Sequence, residues 1–391
     1  MRENPADLEA IRKSGHIAAV FAFVAMSVIA LSHAQSVFAQ DTPKFIIDED
    51  CQAFDIAADN SIVYAVPRIK GVKRLVIERD DMYVAPGLGK SRQIVEVNKF
   101  MPIPPPGGYR VDSLAWSPDS QHIAVNMTLQ LPPLGWDTKK QKKQGEMEDA
   151  TPESEAPIAT IGGGRAVALL DAEGHEIKVA GSKTRFIEGA VDATWLADGT
   201  SAVYLTGGPP YTITRVRPSD GQTTQLFGGH TFNMVIWDAK KNRAFAVGDN
   251  LSLHGRLTLV QLDLLKETVT EVAQLENYQS GLTLSPSGTK VGYFEDGDTL
   301  DIVDLAHPSA APLRIRVGFG RFAWSPDERR ILLKRGPDDR SNILLWVGLY
   351  DGTFKSVLHD LQFHDFQIAP DGHTIAVTIP GKRVLKVYSL Q

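Results

Sequence analysis

The sequence predicts an all-β protein: a seven-bladed β-propeller of four-stranded antiparallel blades, closed by an N-terminal strand. Three observations predict it. A short phrase recurs seven times, consisting of an apolar or Trp anchor, a turn rich in Pro, Asp and Gly, and an alternating apolar run. Further strand-like runs separated by Asp-Gly or Glu-Gly turns follow within the units. The last unit is one strand short, and a spare strand-like segment stands ahead of the first.

The clearest copies of the phrase are Ala115–Val125 and Ala323–Leu333. Leu284–Phe294 and Ile368–Ile379 follow the same plan, Thr194–Leu205 and Phe54–Val66 are looser, and Val235–Val247 carries one extra turn residue. Ser-Pro-Asp-Gly is a β-turn in residue form, with Ser first, Pro fixing φ at the second position, Asp third and Gly fourth. An apolar run on each side makes it an antiparallel hairpin.

The anchors fall at Ile56, Trp116, Trp195, Trp237, Leu284, Trp324 and Ile368, giving gaps of 60, 79, 42, 47, 40 and 44 residues. Four gaps fit a four-stranded blade of roughly 40–50 residues, so two blades carry insertions. Outer strand pairs are predicted at Arg165–Asp171 with Glu176–Val179, at Thr212–Arg217 with Thr223–Phe227, and at Ile343–Tyr350 with Phe354–Leu358. The last blade offers Phe366–Ile368, Thr374–Thr378 and Val384–Ser389, and Lys44–Asp48 is the segment expected to complete it and close the ring.

One propeller accounts for residues 40–391 as a single domain. Apolar content of 43% supports a core, and a net charge of −6 argues against nucleic-acid binding. Residues 1–39 read as a cleaved signal peptide: Arg12 and Lys13 precede the apolar run His16–Leu31, and small-residue cleavage signals end at Ala34 and Ala39. The run is short of the ~20 residues a spanning helix needs, although a retained signal anchor is the alternative. The reading places the chain in a bacterial periplasm or outside the cell, with no stable membrane insertion after cleavage. Cys51 is the single cysteine, so no internal disulfide can form, and no lipobox-like triplet precedes it.

The phrases at Ala115, Ala323 and Ile368 resemble the WSPDG-x-x-I-A-F repeats of the TolB-like, WD-repeat-like propeller family. Those repeats are related to the propeller repeats in the non-catalytic domain of dipeptidyl-peptidase-IV-type enzymes. The resemblance covers Phe54 to the C-terminus and implies the architecture. TolB itself has six blades and an added N-terminal α/β domain, for which the stretch from Gln40 to Phe54 leaves no room; a role in the Tol–Pal envelope system is therefore not implied. Neither is peptidase activity, because no G-x-S-x-G elbow follows the propeller.

No metal and no cofactor is expected. The ten His are scattered, without H-x-x-x-H or H-E-x-x-H spacing. His359 and His364, flanked by Asp360 and Asp365, read as turn residues more readily than as ligands. Glu295, Asp296, Asp298 and Asp301 lack the full ligand series of a calcium loop and read as a solvated hairpin. Gly162-Gly163-Gly164-Arg165 lacks the Lys-Ser/Thr of a phosphate loop.

Two candidate binding regions remain, both on the face opposite the Pro-Asp-Gly turns. One is a patch of extra loops: Met101–Gly108 between the first two blades, the mobile insertion Gln130–Thr160, and Thr206–Tyr211. Its candidate contacts are Pro104, Pro105, Trp136, Pro210 and Tyr211, residues suited to a protein or peptide partner. The other is the channel mouth. Two residues before each anchor an apolar ring is expected, and four before each anchor a mostly polar one. Gln52, Asp112, Asn233, Arg321, His364 and Asp365 are its candidate binding residues.

The leading expectation is a monomeric, non-enzymatic scaffold binding a protein or peptide. The alternative is a propeller hydrolase, lyase or lactonase, which would need Asp112, Arg321, His364 and Asp365 to converge.

Overall fold

The computed structural model describes residues 45–47, 51, 53–70, 76–85, 95–96, 109–129, 164–172, 174–181, 186–248, 257–275, 278–295, 297–318, 320–335, 344–358, 365–379 and 384–390. Among them, the strands form seven four-stranded antiparallel sheets. In chain order the sheets begin with Ala53–Ile56, Tyr109–Trp116, Ala190–Trp195, Phe232–Asp238, Tyr278–Leu284, Gly320–Trp324 and Asp365–Ile368. The first six are each a run of successive strands. The seventh takes its fourth strand from the other end of the chain: Phe45–Ile47 pairs antiparallel with Leu385–Ser389, Phe45 opposite Val387 and Ile47 opposite Leu385.

The recurring turn has one backbone solution. Its fourth residue is left-handed in every copy: Asn60 (φ 67°), Ser120 (58°), Gly199 (63°), Asn242 (50°), Gly288 (66°), Glu328 (55°) and Gly372 (69°). In each copy that residue's N–H returns to the carbonyl three positions earlier, as Ser120 does to Ser117 at 3.0 Å and Gly372 to Ala369 at 2.9 Å. Glycine adopts this conformation without cost, and Asn tolerates it through its short polar side chain. The Ser and Asp of the phrase also act within the turn. Ser117 Oγ accepts from the N–H groups of Gln121 (3.1 Å) and His122 (2.8 Å), and Asp119 accepts from Gln121 N–H at 3.0 Å.

The core is divided among the joints between sheets. Seven apolar clusters each bridge two consecutive sheets. The cluster of Phe54, Ile62 and Tyr64 with Ala376, Leu385 and Val387 joins the first sheet to the seventh. The positions two before each anchor (Phe54, Leu114, Ala193, Val235, Leu282, Phe322 and Phe366) are all 1–7% exposed. That ring is apolar because the inner strands meet there.

Polar links cross the same joints. Trp116 N–H donates to Asp55 at 2.8 Å, Ala193 N–H to Asn126 at 2.7 Å, Trp324 Nε1 to Thr283 at 3.1 Å, and Gln367 Nε2 to the Phe54 carbonyl at 3.2 Å.

One expected strand is displaced. Glu176–Val179 is not the outer strand of the second sheet: it makes a single bridge, Glu176 to Leu170, and Ile187–Glu188 pairs with Ala166 and Val167 instead. The chain leaves the sheet after Val179 because Ala180 N–H bonds to the Pro218 carbonyl of the next sheet at 2.9 Å, while Ile177 and Val179 pack onto the joint.

Candidate functional site

The strand ends opposite the recurring turns bring together the bases of the three extra loops. Tyr109, which follows residues 101–108, lies opposite Leu129, the last described residue before the 130–160 insertion. Leu129 N–H bonds to the Gly164 carbonyl at 2.8 Å, so the insertion leaves and returns at one point. Tyr211, at the end of the 206–211 loop, exchanges backbone hydrogen bonds of 2.7 and 2.8 Å with Phe232 of the fourth sheet. That exchange turns the loop toward its neighbour.

Beside these bases is a cleft of about 350 Å³ formed by the second, third and fourth sheets. Asp112 and Asn233, expected at the mouth, and Tyr211, expected in the loop patch, all line it. Arg165, the first residue after the insertion's base, and Asp192 line it as well.

Asp112 is held within its own sheet. Arg110 donates to its Oδ1 at 2.8 and 3.0 Å, and Thr128 Oγ1 to its Oδ2 at 2.5 Å. Asp192 is held differently. Its φ is +48°, at the irregularity between Val191 and Thr194 where the first strand of the third sheet slips register. Trp237 Nε1 donates both to its carbonyl, at 3.0 Å, and to its Oδ2, at 3.1 Å. Desolvation by the surrounding protein pushes the Asp192 carboxyl above the ordinary carboxylate range, against the downward pull of the Trp237 bond. Asn126, also in the lining, is fully employed: its amide donates to Ser113 at 3.0 Å and its oxygen accepts from Ala193.

Of the other expected mouth residues, Arg321 and Asp365 pair with each other at 2.9 Å across the sixth and seventh sheets. Gln52 and His364 lie outside the described residues, as do Pro104, Pro105, Trp136, the 101–108 loop and the whole 130–160 insertion. Pro210 is described and exposed. Asp112 therefore has partners of its own, separate from the Arg321–Asp365 pair.

The acidic hairpin of the fifth sheet differs from the expected solvated turn. Asp301 is fully buried, and Glu295 nearly so. Arg314 spans both at 3.3 Å. Among the described residues no group of three or more His, Cys, Asp or Glu is placed to hold a metal.

Asp192 and Arg165 were not singled out by sequence. Asp192 carries a signal only in retrospect, as an acid three residues before an anchor where the other units place Ala53, Ser113, Met234, Gly281, Arg321 and Asp365. Arg165 ends the Gly162-Gly163-Gly164 run, a pattern without the Lys-Ser/Thr of a phosphate loop and with no other ligand signal.

No protein-family model and no curated protein matches this chain. Solved structures do. A chain of the mitotic checkpoint complex crystal structure aligns with a TM-score of 0.54 at 13% identity, covering 90% of this chain and 95% of that one. The β-propeller domain of Myceliophteria thermophila Cps50 (Swd1) aligns with a TM-score of 0.53 at 10% identity, covering 89% of this chain and 98% of its own. The fold is a β-propeller. Each four-stranded sheet is a blade, and the cleft lies among the second, third and fourth blades on the face away from the recurring turns. Identities this low establish the fold alone.

Proposed function

We propose that this chain is an exported, non-enzymatic, seven-bladed scaffold that binds a protein or peptide partner through the face bearing the 101–108, 130–160 and 206–211 loops. One observation carries the reading: the bases of three independent loops gather beside a cleft of about 350 Å³, which Tyr211 and Arg165 both line. Loops supported by a rigid scaffold are where binding residues concentrate. Seven bridging clusters and the pairing of Phe45–Ile47 with the last blade support a closed ring, which holds such loops at fixed separations.

Export rests on the His16–Leu31 apolar run and the small residues that follow it, and on the likeness of the Trp-Ser-Pro-Asp phrases to TolB-like repeats. The scaffold is taken to act as a monomer without nucleic acid.

The test is affinity capture from envelope extract with the intact chain and with a variant lacking 130–160. A partner retained by the first and lost by the second supports the reading. Identical partners with and without the insertion remove the insertion from the interface, and capture by neither sinks the scaffold role. Export is checked by fractionation: a mature chain beginning near Gln40 in the periplasm or medium is expected, and an unprocessed cytosolic chain is the contrary result.

A further inference from the structure

The cleft holds two opposite charges that leave each other alone. Among the described residues, the Arg165 guanidinium has no hydrogen-bond or ion-pair partner, although the chain around it is firmly placed: Arg165 pairs with Thr128, and its carbonyl accepts from Gly189 at 2.7 Å. Asp192 keeps one carboxylate oxygen on Trp237 and has no cationic partner among the described residues. Asn233, on the fourth blade, lines the same cleft, and its side chain is exposed. Met127, Val191, Leu205 and Val235 give the same lining an apolar part.

Asp192 also occupies the left-handed region, which an L-residue with a Cβ enters at a cost, and such strain gathers at ligand sites. Fixed in that conformation by Trp237, its carboxylate needs no rearrangement to receive a donor. The nearby Asp112 is neutralised by Arg110, so the charges left to a ligand are one positive and one negative.

We propose that this cleft binds a small zwitterion, an α-amino acid or short peptide, with its carboxylate on Arg165, its ammonium on Asp192, and its side chain against the apolar part of the lining. A lone cation would meet Arg165 and a lone anion would meet Asp192, so either single charge is disfavoured, whereas a molecule carrying both satisfies both. Asn233 supplies a neutral donor and acceptor for the peptide group or α-substituents. The volume of about 350 Å³ lies in the range of small-ligand sites. This site goes beyond the partner-binding face proposed above and does not rest on it.

The test is calorimetric titration of the intact chain with each standard amino acid and with leucyl-leucine. The best binder is then compared with its N-acetylated and C-amidated forms, and with the Asp192→Asn and Arg165→Gln variants. Asn tolerates the left-handed conformation, so Asp192→Asn removes the charge and keeps the fold.

Blocking either end of the ligand is expected to weaken binding at least about tenfold. Asp192→Asn should erase the penalty for N-acetylation and leave the penalty for amidation, with Arg165→Gln doing the reverse. The proposal is overturned if no zwitterion binds at about 10 mM, the weak end of specific affinity, or if blocked and free forms bind alike. The chain lacking 130–160 should bind the zwitterion unchanged, so loss of the captured partner and loss of this site are read apart.

Discussion

Asp55 joins the first and second blades, and substituting it tests whether burial or hydrogen bonding governs such a joint. Its Oδ2 accepts from the Trp116 N–H at 2.8 Å, a bond that favours the charged form. Desolvation opposes it and wins, raising the Asp55 pKa from 3.8 to about 6 despite the bonds from Trp116, Ile56 and Gln367. One pKa step is worth about 1.4 kcal/mol, so holding the ionised form in the folded chain costs up to about 3 kcal/mol. Solvent still reaches this half-buried residue, which brings the expected penalty to about 1–2 kcal/mol.

The sign follows from linkage. The folded chain keeps the proton to higher pH than the unfolded chain does, so stability falls as pH rises from 3.8 through about 6 and is flat above. Asp55→Asn keeps an acceptor for Trp116 and carries no charge. Urea unfolding followed by tryptophan fluorescence should find the variant about 1–2 kcal/mol more stable near pH 7.5, with the difference shrinking toward zero near pH 4. A variant less stable near pH 7.5, or a difference independent of pH, would refute the claim that desolvation governs this joint.

Other expectations concern the turns and the insertion. Ser120 sits at φ 58° with no side-chain partner among the described residues, so Ser120→Gly should stabilise by about 0.5–1 kcal/mol in urea unfolding. Glu328, at φ 55°, should respond with the opposite sign, because Glu328→Gly also removes its contacts to Lys290 (2.8 Å) and the Ser287 N–H (2.5 Å). Burial works against the Glu328 carboxylate, but those donors prevail and lower its pKa from 4.5 to about 2. That contribution is present above pH 4.5 and lost as pH falls toward 2, so Glu328→Gln should cost about 2 kcal/mol at neutral pH and progressively less in acid. Replacing 130–160 with a short Gly-Ser linker should leave the melting temperature within about 3 °C, since the Leu129–Gly164 bond already closes the insertion's base.

What sequence could show is what repeats. The turn was legible because Pro, Asp and Gly each answer a separate backbone demand, and the demand persists where the residue changes: Ser120 and Glu328 take the same left-handed φ as Gly199 and Gly372. The inner apolar ring was legible because each of its residues faces the neighbouring blade. The outer strand of the second blade was misplaced because Glu176–Val179 has the alternation of a strand but is drawn away by the Ala180–Pro218 bond, a contact between segments far apart in sequence. Asp112, Asn233 and Tyr211, which line the cleft, are legible from their places relative to anchors and loops. Asp192 stands three residues before its anchor, between the apolar and polar rings that the spacing defines, so that spacing assigns it to neither.

The same comparison separates scaffold from site. Two residues before the anchor, all seven blades place a buried apolar side chain, so packing dictates the choice. Three residues before it stand Ala53, Ser113, Asp192, Met234, Gly281, Arg321 and Asp365, ranging from glycine to both signs of charge. Had packing set that position as well, the seven residues would resemble one another. Their diversity leaves the inner strands free there to differ in chemistry at little cost to the ring. Arg321 and Asp365 use that freedom to pair with each other, and Asp192 uses it to present an acid held by Trp237. A repeat of this kind keeps a buried residue in every sheet to stay folded, and leaves the neighbouring residue free to vary.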